Sequence, residues 1–455
     1  MAEKVKFGSR IGLIAATVGS AVGLGNVWRF PAEVQANGGA AFLLVYILCV
    51  LILGLPVMLS EFALGRGGQS DAIGVFRKFS PRSGWWLTGA LSIVASYIIL
   101  VFYMVVAGWT LEYLIESVTG NLYASIEGSS LERMGGVFHS RMEEYIQGVG
   151  GPVGFTLAMI AVNLAVLLMG VRKGIEKVSN LLMPMLFVLL VIFAIVSISL
   201  PGSGEGLRFF LAPDFSCITP RVIVSALGQA FFSLSLGMGI LITYSAYYPH
   251  ETKLGSTALT VSALDLLVAL LMGFIIFPAV ASFGLQGEEL RGATLVFVTV
   301  PEVFANMGAP VLWSSLFFLL LFVAALTSTI SVAEVSVAFI QDRFHRSRVT
   351  ACLIVLLPLV VLSPLCALSL GRLDGLQLFG MTLFDFLDMV STNIMLPVVS
   401  IFICIYMGWF APKDLFRDEL TNRGTIRMRL YSTILFIVRY VAPLLIAIVL
   451  ASAFV

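Results

Sequence analysis

The stretch Gly19–Pro31, GSAVGLGNVWRFP, constrains this chain more than any other, because it interrupts a membrane-spanning helix partway across. From Ile11 to Val34 the chain is otherwise apolar and long enough to cross a bilayer core of roughly 30 Å. Yet Gly19, Gly23, Gly25, Asn26 and Arg29 all fall within that run. A glycine weakens a helix by about 1 kcal/mol relative to alanine, and an arginine at bilayer depth costs about 2.5–3.5 kcal/mol on insertion scales. Irregular backbone at such depth is tolerated only where protein or a polar cavity satisfies its N–H and C=O groups. The segment is therefore expected to line a binding site whose other wall comes from elsewhere in the chain.

Composition sets the class. Of 455 residues, 59% are hydrophobic and 12% charged, more apolar side chain than a soluble interior can hold. The expected fold is an all-α polytopic membrane protein embedded in a lipid bilayer. A net charge of +1 argues against a nucleic-acid partner. The five cysteines have no CxxC spacing and read as small packing residues, not as a disulfide framework or metal site. Apolar runs near 10–34, 39–64, 85–118, 152–170, 175–199, 220–249, 254–284, 311–344, 348–370, 380–407 and 428–454 predict eleven spans. The start, MAEKVKFGSR, shows no cleavable signal pattern. With the N-terminus inside, 19 of the 27 Lys and Arg lie on the inner side, so the positive-inside rule puts the N-terminus in the cytoplasm. The C-terminus is then extracytoplasmic and the location the plasma (inner) membrane.

A second interruption, Ser233-Leu-Ser-Leu-Gly-Met-Gly239, sits in the sixth run. The breaks therefore fall in spans 1 and 6, dividing the chain into halves 10–199 and 220–407, with 428–454 appended. An odd span number per half makes the second half inverted relative to the first. Glycine-broken spans at matching positions of inverted halves point to a transport site near the bilayer midplane.

Helix ends at such breaks present N–H groups to anions and carbonyls to cations, which suits a zwitterionic amino acid. Hard cations want several oxygen ligands. The sequence offers carbonyls of the first break, the Asn26 amide, the Ser233 hydroxyl, Asp265 in span 7, and Thr327 and Ser328 in span 8. Plainer roles stand beside these: Thr327 and Ser328 bonding their own helix carbonyls, Asn26 joining two helices, a protonated structural Asp265. Arg29 and Asp388 are opposite charges expected to gate the outer side, and Glu61 is expected to hydrogen-bond structurally.

These residues resemble the neurotransmitter:sodium symporter family over about residues 7–410. The motifs are GSAVGLGNVWRFP followed by NGGAAF, GQAFFSLSLGMG and ALTSTIS. The resemblance implies two sodium sites. One would combine the Ala21 carbonyl, Asn26, Ser233, Asp265 and the substrate carboxylate. The other would combine the carbonyls of Gly19, Val22 and Ala324 with the hydroxyls of Thr327 and Ser328. It further implies that the substrate carboxylate meets the N–H groups of Leu24 and Gly25 and the Tyr103 hydroxyl. The ammonium would meet carbonyls of Ala21, Phe232 and Ser233 and the Ser235 hydroxyl. Ile99, Tyr103, Phe232, Met238, Thr329 and Val332, beside Ser328, would form the side-chain pocket. Phe232 resembles an aromatic lid under the Arg29–Asp388 gate. Tyr247 and Asp342 match the inner gate, where Lys4 and Phe7 replace the arginine and tryptophan of many members. Gly174 with Pro184 resembles a glycine-x9-proline element that unwinds span 5.

The resemblance also speaks to substrate. Monoamine carriers of the family have aspartate at the position of Gly23, so glycine implies a substrate bearing its own carboxylate. Met238 is deformable and the pocket lacks charge, which implies bulky apolar or aromatic amino acids. Asp265 stands where many members have asparagine and implies chloride independence. The expected function is sodium-coupled, alternating-access import of such L-amino acids. The alternative is a proton-coupled carrier using Asp265. An intramembrane enzyme finds no support: GxSxG and HExxH are missing, and the three histidines lie at span ends or in loops.

Overall fold

The computed structural model describes residues 6–124, 131–284 and 294–452, with backbone alone over 131–135. Apart from an isolated bridge between Leu378 and Met381, its regular structure is helical. Among the described residues nine helices are long and apolar enough to cross a membrane, or ten when Arg10–Ala21 and Gly25–Ala36 count as one span bent by 52°. In chain order these are span 1 (the bent pair), span 2 (Ala40–Gly68), span 3 (Trp86–Val118), span 4 (Gly150–Leu168), span 5 (Val171–Ile198), span 7 (Leu254–Ser282), span 8 (Pro310–Phe344), span 9 (Arg348–Leu368), span 10 (Leu383–Phe410) and span 11 (Tyr431–Ser452). Segment 6 is interrupted within 220–249, at the expected Ser233–Gly239 break. It consists of Pro220–Ser233 and Ile240–Ser245, and neither piece has the length to cross alone.

The ends of the broken elements follow from their sequences. Ser9 caps span 1 by accepting the Gly12 N–H at 2.9 Å, and Thr219 caps segment 6 by accepting that of Val222 at 3.3 Å, ahead of Pro220 at the first helical position. The first helix stops at Val22, whose extended backbone (ψ 104°) turns the chain out of the helix. In segment 6 the break runs through Gly237 and Gly239, at φ 77° and 73°, a left-handed conformation that a β-carbon penalises.

Spans 3 and 8, of 33 and 35 residues, pack along each other in the most extensive helix pairing among the described residues. At 1.5 Å per residue each exceeds the roughly 30 Å apolar core, so they cross obliquely or project from it. The first half of span 1 packs on spans 5, 7 and 8. The turn after its break packs on segment 6 and span 7, so both interruptions lie inside the bundle. Burial there is nearly complete: Val22, Leu24, Asn26, Leu234 and Leu236 expose 1% of their surface or less.

Candidate functional site

The polar core of the site joins spans 1, 2 and 7 to segment 6. The Asn26 amide donates to Asp265 Oδ1 at 2.8 Å, to Ser233 Oγ at 3.1 Å and to the Asp265 carbonyl at 3.3 Å. Ser233 Oγ lies 2.9 and 2.8 Å from the two Asp265 carboxylate oxygens. Tyr46 completes the group, donating to Ser233 Oγ at 3.1 Å and to Asp265 Oδ2 at 3.4 Å. Every member is buried, yet among the described residues Asn26 Oδ1 has no hydrogen-bond partner. A buried acceptor left unpaired costs about 1–3 kcal/mol, so this oxygen fits a cation ligand. The amide nitrogen of the same side chain meets the Asp265 carboxylate and the Ser233 hydroxyl, and amide, carboxylate and hydroxyl oxygens are the hard donors that an alkali cation prefers.

A second oxygen-rich point lies between spans 1 and 8. Ser328 Oγ is 3.3 Å from the carbonyls of both Gly19 and Val22. Thr327 stands alongside, its Oγ1 bonded to Val323 O at 3.0 Å and Ala324 O at 3.1 Å. Its β-carbon is 3.2 Å from where a side chain on Gly19 would begin. Thr327 thus makes the back-bond of the plainer reading while Ser328 reaches across to the break. Ala21 and Ala324 are buried within the same contact region.

Around the break of span 1, the Leu24 N–H donates to the Tyr103 hydroxyl at 3.1 Å. A β-carbon on Gly23 would lie 2.6 Å from Ser328 Oγ and 2.8 Å from the Tyr103 hydroxyl, so only glycine fits without rearrangement. The Phe232 ring lies directly over Gly25. Ile99, Met238, Thr329 and Val332 are buried, and the Met238 carbonyl accepts from Ser96 Oγ. Two further hydroxyls bond backbone carbonyls. Ser235 Oγ donates to Ser20 O at 2.8 Å, and Thr329 Oγ1 to Leu326 O at 3.0 Å. Glu61 takes its expected role and accepts the Gly237 N–H at 2.8 Å.

At the expected outer gate the two opposite charges stand apart in this structure. Arg29 and Asp388 are not paired; among the described residues the acidic partner of Arg29 is Glu33, at 3.9 Å, and its guanidinium lies 4.7 Å from the Phe232 ring centroid. A cavity of about 180 Å³ lies there, lined by Arg29 and Glu33 of span 1, Ser225 and Phe232 of segment 6, Thr392 and Asn393 of span 10, and Ile446 and Val449 of span 11. The side bearing the N-terminus is closed instead. Phe7 packs edge-on against Tyr244 and Tyr247, near Tyr248, and its N–H donates to Tyr247 O at 3.1 Å. Glu176 of span 5 accepts the N–H groups of Gly8 and Ser9 at 2.8 and 3.0 Å. Asp342 accepts the Asp71 N–H at 2.8 Å, and Tyr247 donates to Glu334 at 2.8 Å. Lys4, assigned to this gate by resemblance, lies outside the described residues.

Several residues here escaped the sequence reading. Glu334 is fully buried and held by Arg348 at 2.6 Å; an acid inside an apolar span, the signal that singled out Asp265, was present for it too. Tyr46 and Gln229, which donates to Gly25 O at 3.1 Å, carried no comparable signal.

The family model for the Sodium:neurotransmitter symporter family matches residues 4–129 and 136–455. The chain belongs to this family. It is therefore a multi-pass membrane transporter rather than an enzyme. It is 36% identical to the uncharacterized sodium-dependent transporter YhdH of Bacillus subtilis (strain 168) over 449 residues, covering 98% of this chain and 97% of that one. It is 28% identical to the sodium-dependent serotonin transporter of Drosophila melanogaster over 458 residues, covering 91% and 71%. Among solved structures, that of MhsT in complex with L-phenylalanine matches with a TM-score of 0.89 and 37% identity, covering 99% of this chain and 100% of MhsT.

Proposed function

We propose that this symporter couples inward sodium movement to import of bulky apolar or aromatic L-amino acids, without chloride. The observation that carries the reading is the unpaired Oδ1 of Asn26, whose amide nitrogen contacts Asp265 and Ser233. Sodium here would be held by these three residues, the Ala21 carbonyl and the carboxylate of the amino acid. Neither ligand then binds well alone, and such coupling is reciprocal. A second sodium would join the carbonyls of Gly19, Val22 and Ala324 to Thr327 and Ser328, tying span 1 to span 8.

The substrate class follows from the fit at Gly23. Ser328 and Tyr103 fill the space that a fixed anion on residue 23 would need, which supports a substrate that brings its own carboxylate. The Leu24 and Gly25 N–H groups and Tyr103 would receive it. Carbonyls of Ala21, Phe232 and Ser233 would receive the ammonium, and Ile99, Met238 and Val332 the side chain. The phenylalanine bound to MhsT supports this choice. Chloride independence rests on Asp265. Tyr46, Ser233 and Asn26 all direct donors at its carboxylate, which supplies the negative charge locally and occupies the donors an anion would need.

The halves 10–199 and 220–407 would rock about the breaks, with Arg29 and Asp388 closing over Phe232 outside and Tyr247, Asp342 and Lys4 gating the cytoplasmic side. The test is uptake by proteoliposomes under an inward sodium gradient, with a panel of twenty amino acids as competitors. Concentrative uptake of phenylalanine-like substrates that persists when gluconate replaces chloride is expected. Uptake that ceases in gluconate overturns chloride independence, and sodium-free uptake driven by a proton gradient overturns sodium coupling.

A further inference from the structure

Arg29 and Glu33 stand one helical turn apart on the outer half of span 1, and Glu33 is held from a second direction. One carboxylate oxygen faces the Arg29 guanidinium at 3.9 Å. The other accepts from Ser225 Oγ of segment 6 and from Asn37 Nδ2 at 3.1 Å, and Asn37 Nδ2 also lies 3.1 Å from Ser225 Oγ. The acid is thus fixed in place by neutral donors, with its free edge toward the arginine. Asp388, on span 10 one helical turn before the cavity-lining Thr392, is engaged locally. Its backbone carbonyl accepts from Thr392 Oγ1 at 2.7 Å, and its carboxylate from the same hydroxyl at 3.3 Å.

We propose that Glu33 is the resting partner of Arg29, and that the arginine exchanges Glu33 for Asp388 each time the outer side closes. The inference rests on the outer gate proposed above. Glu33 competes for a single guanidinium and therefore favours the open side. The competing pair is partly exposed, each side chain retaining 28% of its surface, so it is screened by salt. A pair with Asp388 in the closed gate, withdrawn from solvent, would be screened less. Glu33 is a positioning residue: it acts through Arg29 and sets how readily the cavity shuts. Its hold on Ser225 also ties the outer halves of span 1 and segment 6, so both would travel together when the guanidinium transfers.

Glu33→Gln isolates the charge, because the glutamine carbonyl oxygen still accepts from Ser225 and Asn37 while the attraction for Arg29 is lost. The readout is the rate at which a membrane-impermeant thiol reagent labels Asn393→Cys, which lines the cavity, in a Cys217→Ser background without substrate. Because no substrate is needed, a failure of the transport reading leaves this measurement intact. Glu33→Gln is expected to slow labelling about two- to five-fold, the range of a partly exposed ion pair. Sodium-dependent phenylalanine should bind correspondingly tighter, and Glu33→Asp should label at nearly the parent rate. Raising ionic strength with choline chloride should slow the parent toward the Glu33→Gln rate and leave the variant unchanged. Labelling of Glu33→Gln at or above the parent rate overturns the proposal. If that variant does not fold, a parent rate independent of ionic strength overturns it instead.

Discussion

Asp265 carries one formal charge in a cluster otherwise built of neutral groups, and that charge is the testable quantity at the scale of a residue. Asn26, Ser233 and Tyr46 all donate to its carboxylate within 3.4 Å. Asparagine would keep an acceptor for part of this network and lose the charge. At an effective dielectric near 20, a unit pair about 4 Å apart interacts by roughly 4 kcal/mol, so the loss should be plain even after relaxation. Asp265→Asn is expected to raise the half-saturating sodium concentration about tenfold or more, or to make transport require chloride. Sodium and chloride titrations of substrate binding check this; unchanged titrations would remove Asp265 from the ion site. The residue was legible in sequence because an acid in an apolar run has few structural excuses. Tyr46 was not legible, since a tyrosine among apolar residues is ordinary and only the meeting of spans 2 and 7 aims its hydroxyl at Asp265.

At the scale of elements, the two breaks were readable and their bracing was not. Glycines and a mid-membrane arginine marked where helices end. Nothing local told that Glu176 of span 5 would clasp the start of span 1, or that the short helix Leu415–Leu420 would dock beneath span 2. That docking centres on Arg66, which is almost wholly buried. Its Nε lies 2.5 Å from Glu419 Oε2, and its other nitrogens donate to the carbonyls of Glu419 and Thr252. Removing one partner of a buried pair costs about 3–5 kcal/mol, mostly because the remaining charge is stranded. Arg66→Ala should therefore lower the thermal midpoint in detergent by several degrees, whereas the double change Arg66→Met with Glu419→Leu should lose less. Equal losses in both would mean the ion pair is incidental to the docking. The charged stretch 411–427 thereby acquires a structural role.

For the whole molecule, the asymmetry of the two sides decides the state observed. Phe7, Glu176 and Tyr247 close the side that carries the N-terminus, while Arg29 leaves a cavity open on the other. A carrier that moves sodium with a zwitterion moves net positive charge, and each charge gains about 2.3 kcal/mol per 100 mV. Proteoliposomes clamped at 100 mV, interior negative, by a potassium diffusion potential should accumulate substrate to a higher steady state than unclamped vesicles. Accumulation independent of voltage would argue for an electroneutral exchange.

What the sequence determined by itself was the class of molecule, the place of both interruptions and most of the groups beside them. Those follow from the cost of glycine, charge and unpaired backbone in hydrocarbon, which is the same in any fold. Which partner each group chose was decided by tertiary structure alone. Opposite charges such as Arg29 and Asp388 announce an affinity, but whether they touch depends on how far apart the packed helices hold them. Here Glu33, one turn away on the same helix, lies nearer.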